Sequence, residues 1–232
     1  MKVSIHQPQY LPWLPYFLKI EESDLFILLD TVDFQKNGLQ NSNQVKTAQG
    51  AHWLTVPVRQ ELGQKIRDVQ TTGGGDWRRK HWLTLVQSYG KAPSFAPFAG
   101  DLERFYSREW TGLNELNIEL IEMIMRWLDI RTPVVKSSDM GATGAASELV
   151  LNLCREAGAT RYLSGSGGMS YLDMDAFDRA GIEVVYRPTI LPVPYPQCFP
   201  KVGFINHLSA LDIILNCGDA WRSYLPQEAI TA

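Results

Sequence analysis

The chain has 232 residues, 45% of them hydrophobic and 20% charged, with a formal net charge of -3. That composition supports a sizeable core and excludes an intrinsically disordered chain. The acidic balance argues against a dedicated nucleic-acid binder, and no run approaches the roughly 20 apolar residues of a membrane span.

The start of the chain shows no basic region followed by an apolar one, so a secretory signal is not expected. The three cysteines, Cys154, Cys198 and Cys217, form neither a CxxC metal pattern nor a disulfide framework. Reduced thiols and a cytoplasmic location follow from that reading. Cys198, in a Pro-rich stretch, is the one candidate reactive thiol. No Cys/His set has zinc-finger spacing, so no metal site is expected.

Residues 2–6, "KVSIH", read as a strand, and Trp13, Tyr16, Phe17 and Ile20 repeat at helical spacing over 12–23. "DLFILLD" (24–30) is a continuous apolar run suited to a strand covered on both faces. "HWLTVPV" (52–58) reads as another strand. Helices are expected over 76–89 and 110–128, with "KAPSFAPFAG" (91–100) as a turn-rich connector. Strand-helix alternation then resumes. Strands are expected at 132–138, 161–165 and 182–188, and helices at 145–159, 174–181 and 206–218. This predicts an α/β, Rossmann-like fold with a mostly parallel sheet. Residues 1–232 form one domain in this reading, with a helical insertion over about 70–130.

In an open parallel sheet, ligands bind beyond the carboxyl ends of the strands. Three polar stretches fall there. "HQPQY" supplies His6, Gln7, Gln9 and Tyr10. His serves as acid or base near neutral pH, and amides and hydroxyls both donate and accept. "DTVDFQKNGLQNSNQ" (30–44) supplies Asp30, Asp33, Lys36, Asn41 and Asn43. A carboxylate pair holds a hard metal or acts as a base, and Asp also commonly begins turns. "SGSGGMSY" (164–171) supplies Gly165, Ser166 and Tyr171 on a glycine-rich loop, which lacks the full GxGxxG or P-loop frame. "PYPQCF" (194–199) adds Tyr195 and Gln197 on a rigid loop.

Together, "IHQPQYLPWLPYFLKI", "DLFILLDTVDFQKNGLQNSNQV", "HWLTVPV", "YLSGSGGMSYLD", "PYPQCF" and "HLSALDIILNCG" resemble the WbqC-like family, in order, to about residue 218. The family is associated with bacterial O-antigen and related surface-polysaccharide gene clusters. The resemblance implies a transferase that forms an amide on the amino group of a nucleotide-linked amino sugar. Its partners would be the nucleotide-sugar and an activated acyl donor such as a carrier thioester. His6 and Asp33 are the expected catalytic residues. Gln7, Gln9, Tyr10, Asp30, Lys36, Asn41, Asn43, Gly165, Ser166, Tyr171, Tyr195 and Gln197 are the expected substrate-binding residues. Two alternatives stay open: an ATP-dependent ligase or nucleotidyltransferase-like enzyme, and a non-catalytic nucleotide-sugar-binding protein. The chain departs from the family pattern at Pro15 and Leu18, usually Gly and His, and at Ser42, usually Arg. An Arg would be a natural phosphate ligand, so its loss puts diphosphate binding by that loop in question.

Overall fold

Alternating side chains explain how the central sheet is covered on both faces. The computed structural model describes residues 1–74 and 76–226. Strand β1 (Lys2–His6) leads through helix α1 (Leu14–Glu21) to β2 (Leu25–Leu28). Val3 and Ile5 of β1 and Ile27 of β2 face one layer, while Phe26 and Leu28 of β2 face the other. Proline at the start of α1 fits the first turn, where its missing N–H has no helical partner.

Between β2 and the next strand of this sheet lies a long excursion. It holds two antiparallel hairpins, β3 (Ser42–Thr47) with β4 (Gly50–Thr55) and β5 (Val58–Arg59) with β6 (Gln70–Thr71). Three helices follow: α2 (Asp76–Tyr89), α3 (Phe95–Ser107) and α4 (Leu113–Trp127). The chain then returns as β7 (Val134–Lys136), α5 (Ala146–Glu156), β8 (Arg161–Ser164), α6 (Met174–Arg179), β9 (Glu183–Tyr186) and α7 (Ala210–Cys217). Gly158, at φ 69°, lets the chain turn after α5. The Ser209 side chain caps α7 by accepting from the Leu211 N–H.

The sheet order is β7-β2-β1-β8-β9, with all pairs parallel. In chain order this is third, second, first, fourth, fifth, the order of a Rossmann-like fold. Helices α5 and α6 pack on one face. Helices α1 to α4 and α7 share the core on the other.

Three local expectations change. The single strand expected over 52–58 is divided between β4, which ends at Thr55, and β5, which begins at Val58, both outside the parallel sheet. The stretch 91–100 is only partly a connector, because α3 begins at Phe95. The polar loop 30–44 ends as strand β3. No helix among the described residues is long and apolar enough to cross a membrane.

Candidate functional site

The sheet reverses direction of growth between β1 and β8, and the two strands part early. Their ladder ends at the Ser4–Leu163 pair. The loops after β1, β2, β7 and β8 all leave from this carboxyl edge, so the topology brings His6, Asp30, Ser137 and Gly165 to one side of the molecule. That is the edge where α/β sheets hold their ligands.

His6, the last residue of β1, is partly buried against the Tyr16 ring, with centroids 5.0 Å apart. Its Nδ1 lies 3.0 Å from the Gln7 carbonyl oxygen. A carbonyl only accepts, so Nδ1 carries the proton and Nε2 carries the lone pair. Burial, aided by the charge of Lys19, lowers the His6 pKa to about 4. The imidazole is therefore neutral at physiological pH.

Gln7 and Gln9 diverge. Gln7 Oε1 accepts from Gln40 Nε2 at 2.7 Å, which leaves the Gln7 amide N–H groups as donors. Gln9 is buried, and its Oε1 has no partner among the described residues. Two residues of α4, Asn114 and Asn117, are in the same condition. Asn114 Nδ2 donates to Asp30 and Asn117 Nδ2 donates to the Gln40 carbonyl, while both Oδ1 atoms lack a donor. Three residues apart on one helix, they share a face. Buried acceptors of this kind are ordinarily met by internal water or by a donor on a bound molecule.

Asp30 is fully buried and saturated. It accepts from Ser137 Oγ at 2.9 Å, Ser138 N at 2.9 Å, Ser138 Oγ at 2.8 Å and Asn114 Nδ2 at 2.9 Å. Those four bonds fill the acceptor capacity of a carboxylate. Asp33, by contrast, is exposed and bonds Lys65 Nζ at 2.6 Å. The two carboxylates have separate partners and do not act as a pair. Lys36 is exposed on the same loop.

The loop after β8 holds Gly165 and, in a short 3-10 turn, Ser166. Ser166 and Tyr171 are exposed. The remaining expected ligands are engaged elsewhere. The Tyr10 hydroxyl is buried between His81 Nδ1 at 2.8 Å and Tyr106 Oη at 2.6 Å. Asn41 donates to the Val56 carbonyl and Asn43 to the Leu11 carbonyl. Tyr195 and Gln197 both donate to Asp212 at 2.8 Å, and Tyr89 does the same from α2. Asp212 is fully buried, so this cluster ties the Pro-rich loop to α7. Cys198 beside it is half-buried, and burial together with Asp212 raises its thiol pKa, which disfavours the reactive thiolate.

Lys19, Gln40, Asn114, Asn117 and Arg187 escaped the reading of the sequence. The usable signal for the two Asn residues was their place among Leu113, Leu116, Leu120 and Ile121 on the apolar stripe of α4. Lys19 lies on α1 amid Phe17, Leu18 and Ile20, and it too interrupts a buried face.

A pH prediction follows from two histidines. Burial also lowers His81 to about 4, and both return to the ordinary value near 6.5 on unfolding. Between those values the unfolded chain binds more protons. Stability is thus full above about 6.5 and is lost as pH falls toward about 4. Melting temperature should drop over that window, and His6→Gln should flatten the drop. An unchanged pH slope in His6→Gln would show that His6 is solvated.

Comparison with known proteins identifies the family. The model of the WbqC-like protein family matches residues 7–224. The Mycobacterium tuberculosis protein named "Uncharacterized protein Rv1507c" is 37% identical over 227 residues, covering 97% of each chain. No solved structure matches. The family match spans every loop of the carboxyl edge that follows His6, together with the long excursion and the Asp212 cluster. On that span, the chain belongs to the WbqC-like protein family.

Proposed function

We propose that this protein is an enzyme that acylates the amino group of a nucleotide-linked amino sugar, in the assembly of bacterial surface polysaccharide. The observation that carries the reading is His6: a neutral imidazole with its Nε2 lone pair fixed by the Gln7 carbonyl, at the carboxyl edge of a Rossmann-like sheet. The family's association with surface-polysaccharide gene clusters supports the pathway.

In this reading the amine lone pair attacks the carbonyl carbon of an acyl thioester. The C–N bond forms, His6 Nε2 takes the amine proton, and the C–S bond breaks to release thiolate. The Gln7 amide N–H groups are the donors available to the developing oxyanion. A base works best with a pKa near the working pH. His6 stands below that, so an anion bound nearby would improve it by favouring the protonated form. Hydroxyl and amino groups of a sugar are the kind of donors that the buried acceptors of Gln9, Asn114 and Asn117 lack.

The test incubates the purified chain with nucleotide-linked amino sugars and acyl thioesters and follows product mass. A mass gain equal to the acyl group, without ATP, is expected. Product that appears only with free acid and ATP would move the protein to the ligases. Saturable binding with no product from any donor would leave it a binding protein.

A further inference from the structure

Lys19 is the one buried cation on this edge without a counter-charge among the described residues. Only 8% of the residue is exposed, and its Nζ donates to the Ile5 carbonyl at 3.0 Å. Ile5 is the β1 residue just past the last pair with β8, so the ammonium sits where the ladder has opened. An ammonium has three donors. The acid best placed by helical spacing, Glu22, is three residues away. It is held instead by Arg187, which follows β9, and at 3.9 Å by Lys2. Burial and the nearby Arg187 charge lower the Lys19 pKa to about 8, and no acid offsets them. A buried charge left unpaired costs several kcal/mol. An apolar side chain would fill the same space without that cost.

The facing loop supplies a second and independent observation. Glycine is normally required by a positive φ or by crowding. Gly165 and Gly167 have neither: their φ values are outside the positive range, and an added Cβ would meet nothing within 4 Å; of the other described glycines only Gly100 and Gly141 are similarly uncrowded, and each faces the end of a charged side chain, Arg104 or Glu156. Gly165 has φ -75° and ψ 169°, an extended backbone open to any residue. Close approach of another molecule to the backbone accounts for glycine at such a place. The faces agree. Ser4 bonds Ser23 next to α1, and His6 packs on Tyr16 of α1, so both point to the α1 side. Tyr162 of β8 stacks on Phe177 of α6, so alternation puts Leu163 and Gly165 on the α1 side as well. A side chain at 165 would project onto the face that carries His6 and Lys19.

We infer that the opening between β1 and β8 binds a phosphoryl group, with Lys19 as its buried counter-charge and the glycines at 165 and 167 leaving room for its approach. The inference rests on the nucleotide-sugar reading for its natural ligand and assigns the phosphates a place in it.

The experiment measures inorganic pyrophosphate binding by calorimetry to the whole chain and to two variants, Lys19→Met and Gly165→Ala. Saturable binding to the wild type is expected, weakened at least tenfold in each variant, with melting temperatures no lower in Lys19→Met. Unchanged affinity in a folded Lys19→Met overturns the proposal. Should that variant fail to fold, Gly165→Ala decides, since its Cβ enters open space. An equal response to acetate overturns the phosphoryl assignment. Absence of pyrophosphate binding removes the site and leaves the acylation reading to its own assay. Lys19-dependent binding in a chain that acylates nothing keeps the site and removes that reading.

Discussion

Replacing His6 by Gln is expected to leave the fold intact and to lower the rate of amide formation by about 10²- to 10⁴-fold. Gln keeps a donor for the Gln7 carbonyl, and it removes only an edge contact with Tyr16. It has no lone pair basic enough to take the amine proton. Melting temperature, pyrophosphate affinity and rate should be measured on one preparation. Full activity in the variant would take His6 out of the mechanism. Loss of activity that merely tracks loss of fold would make His6 a packing residue.

Asp30→Ala is expected to cost stability instead, by about 1–3 kcal/mol for the buried donor it leaves unmet. Four donors converge on that carboxylate: two serine hydroxyls, the Ser138 backbone N–H and the Asn114 amide. The hydroxyls can turn to other acceptors and the Ser138 N–H is only partly buried, but the Asn114 amide stays buried and unmet. The location magnifies the effect. Asp30 stands where the chain leaves β2, and Ser137 and Ser138 stand where it has come back through β7. One side chain thus closes the neck of the long excursion and pins α4 to it. Urea unfolding of the two proteins gives the difference directly. A difference below about 1 kcal/mol would mean that the four bonds are replaceable by water.

The two strand-helix-strand halves were legible because their signals are local. "KVSIH" and "DLFILLD" flank a helical period, and Gly158 and Gly181 mark the helix ends of the second half. Helix α3 was obscured by Pro97 and Gly100. Pro97 lies in the first helical turn, where its missing N–H removes no helical bond. Strand β3 was hidden because "SNQVKT" is polar, and its pairing comes from the β4 partner. At the site, the edge itself was legible, since His6 and Gly165 directly follow strands. Tyr195 and Gln197 look like ligand residues for the reason that they bond Asp212: both present polar groups from a rigid loop. Nothing local shows that their acceptor lies on a helix reading "ALDIILNC". Lys19 was missed for the opposite reason. A lysine in a short helix reads as a solvated face, and only the strand beneath it reveals burial.

The strand order also sets a timetable for synthesis. β1 and β2 are joined by one short helix, yet each needs a neighbour from far along the chain. Asp30 meets Ser137 across 107 residues, and Met1 meets Thr160 across 159. A nascent chain made at about 5–20 residues per second holds β1 and β2 with both flanks unpaired for roughly five to twenty seconds. Unpaired strand flanks are templates for association with other chains. Slow, long-range closure of this kind also lowers refolding rates relative to folds built from neighbours. Recovery of active protein should therefore depend on dilution and on chaperone supply during translation more than on the final stability of the sheet.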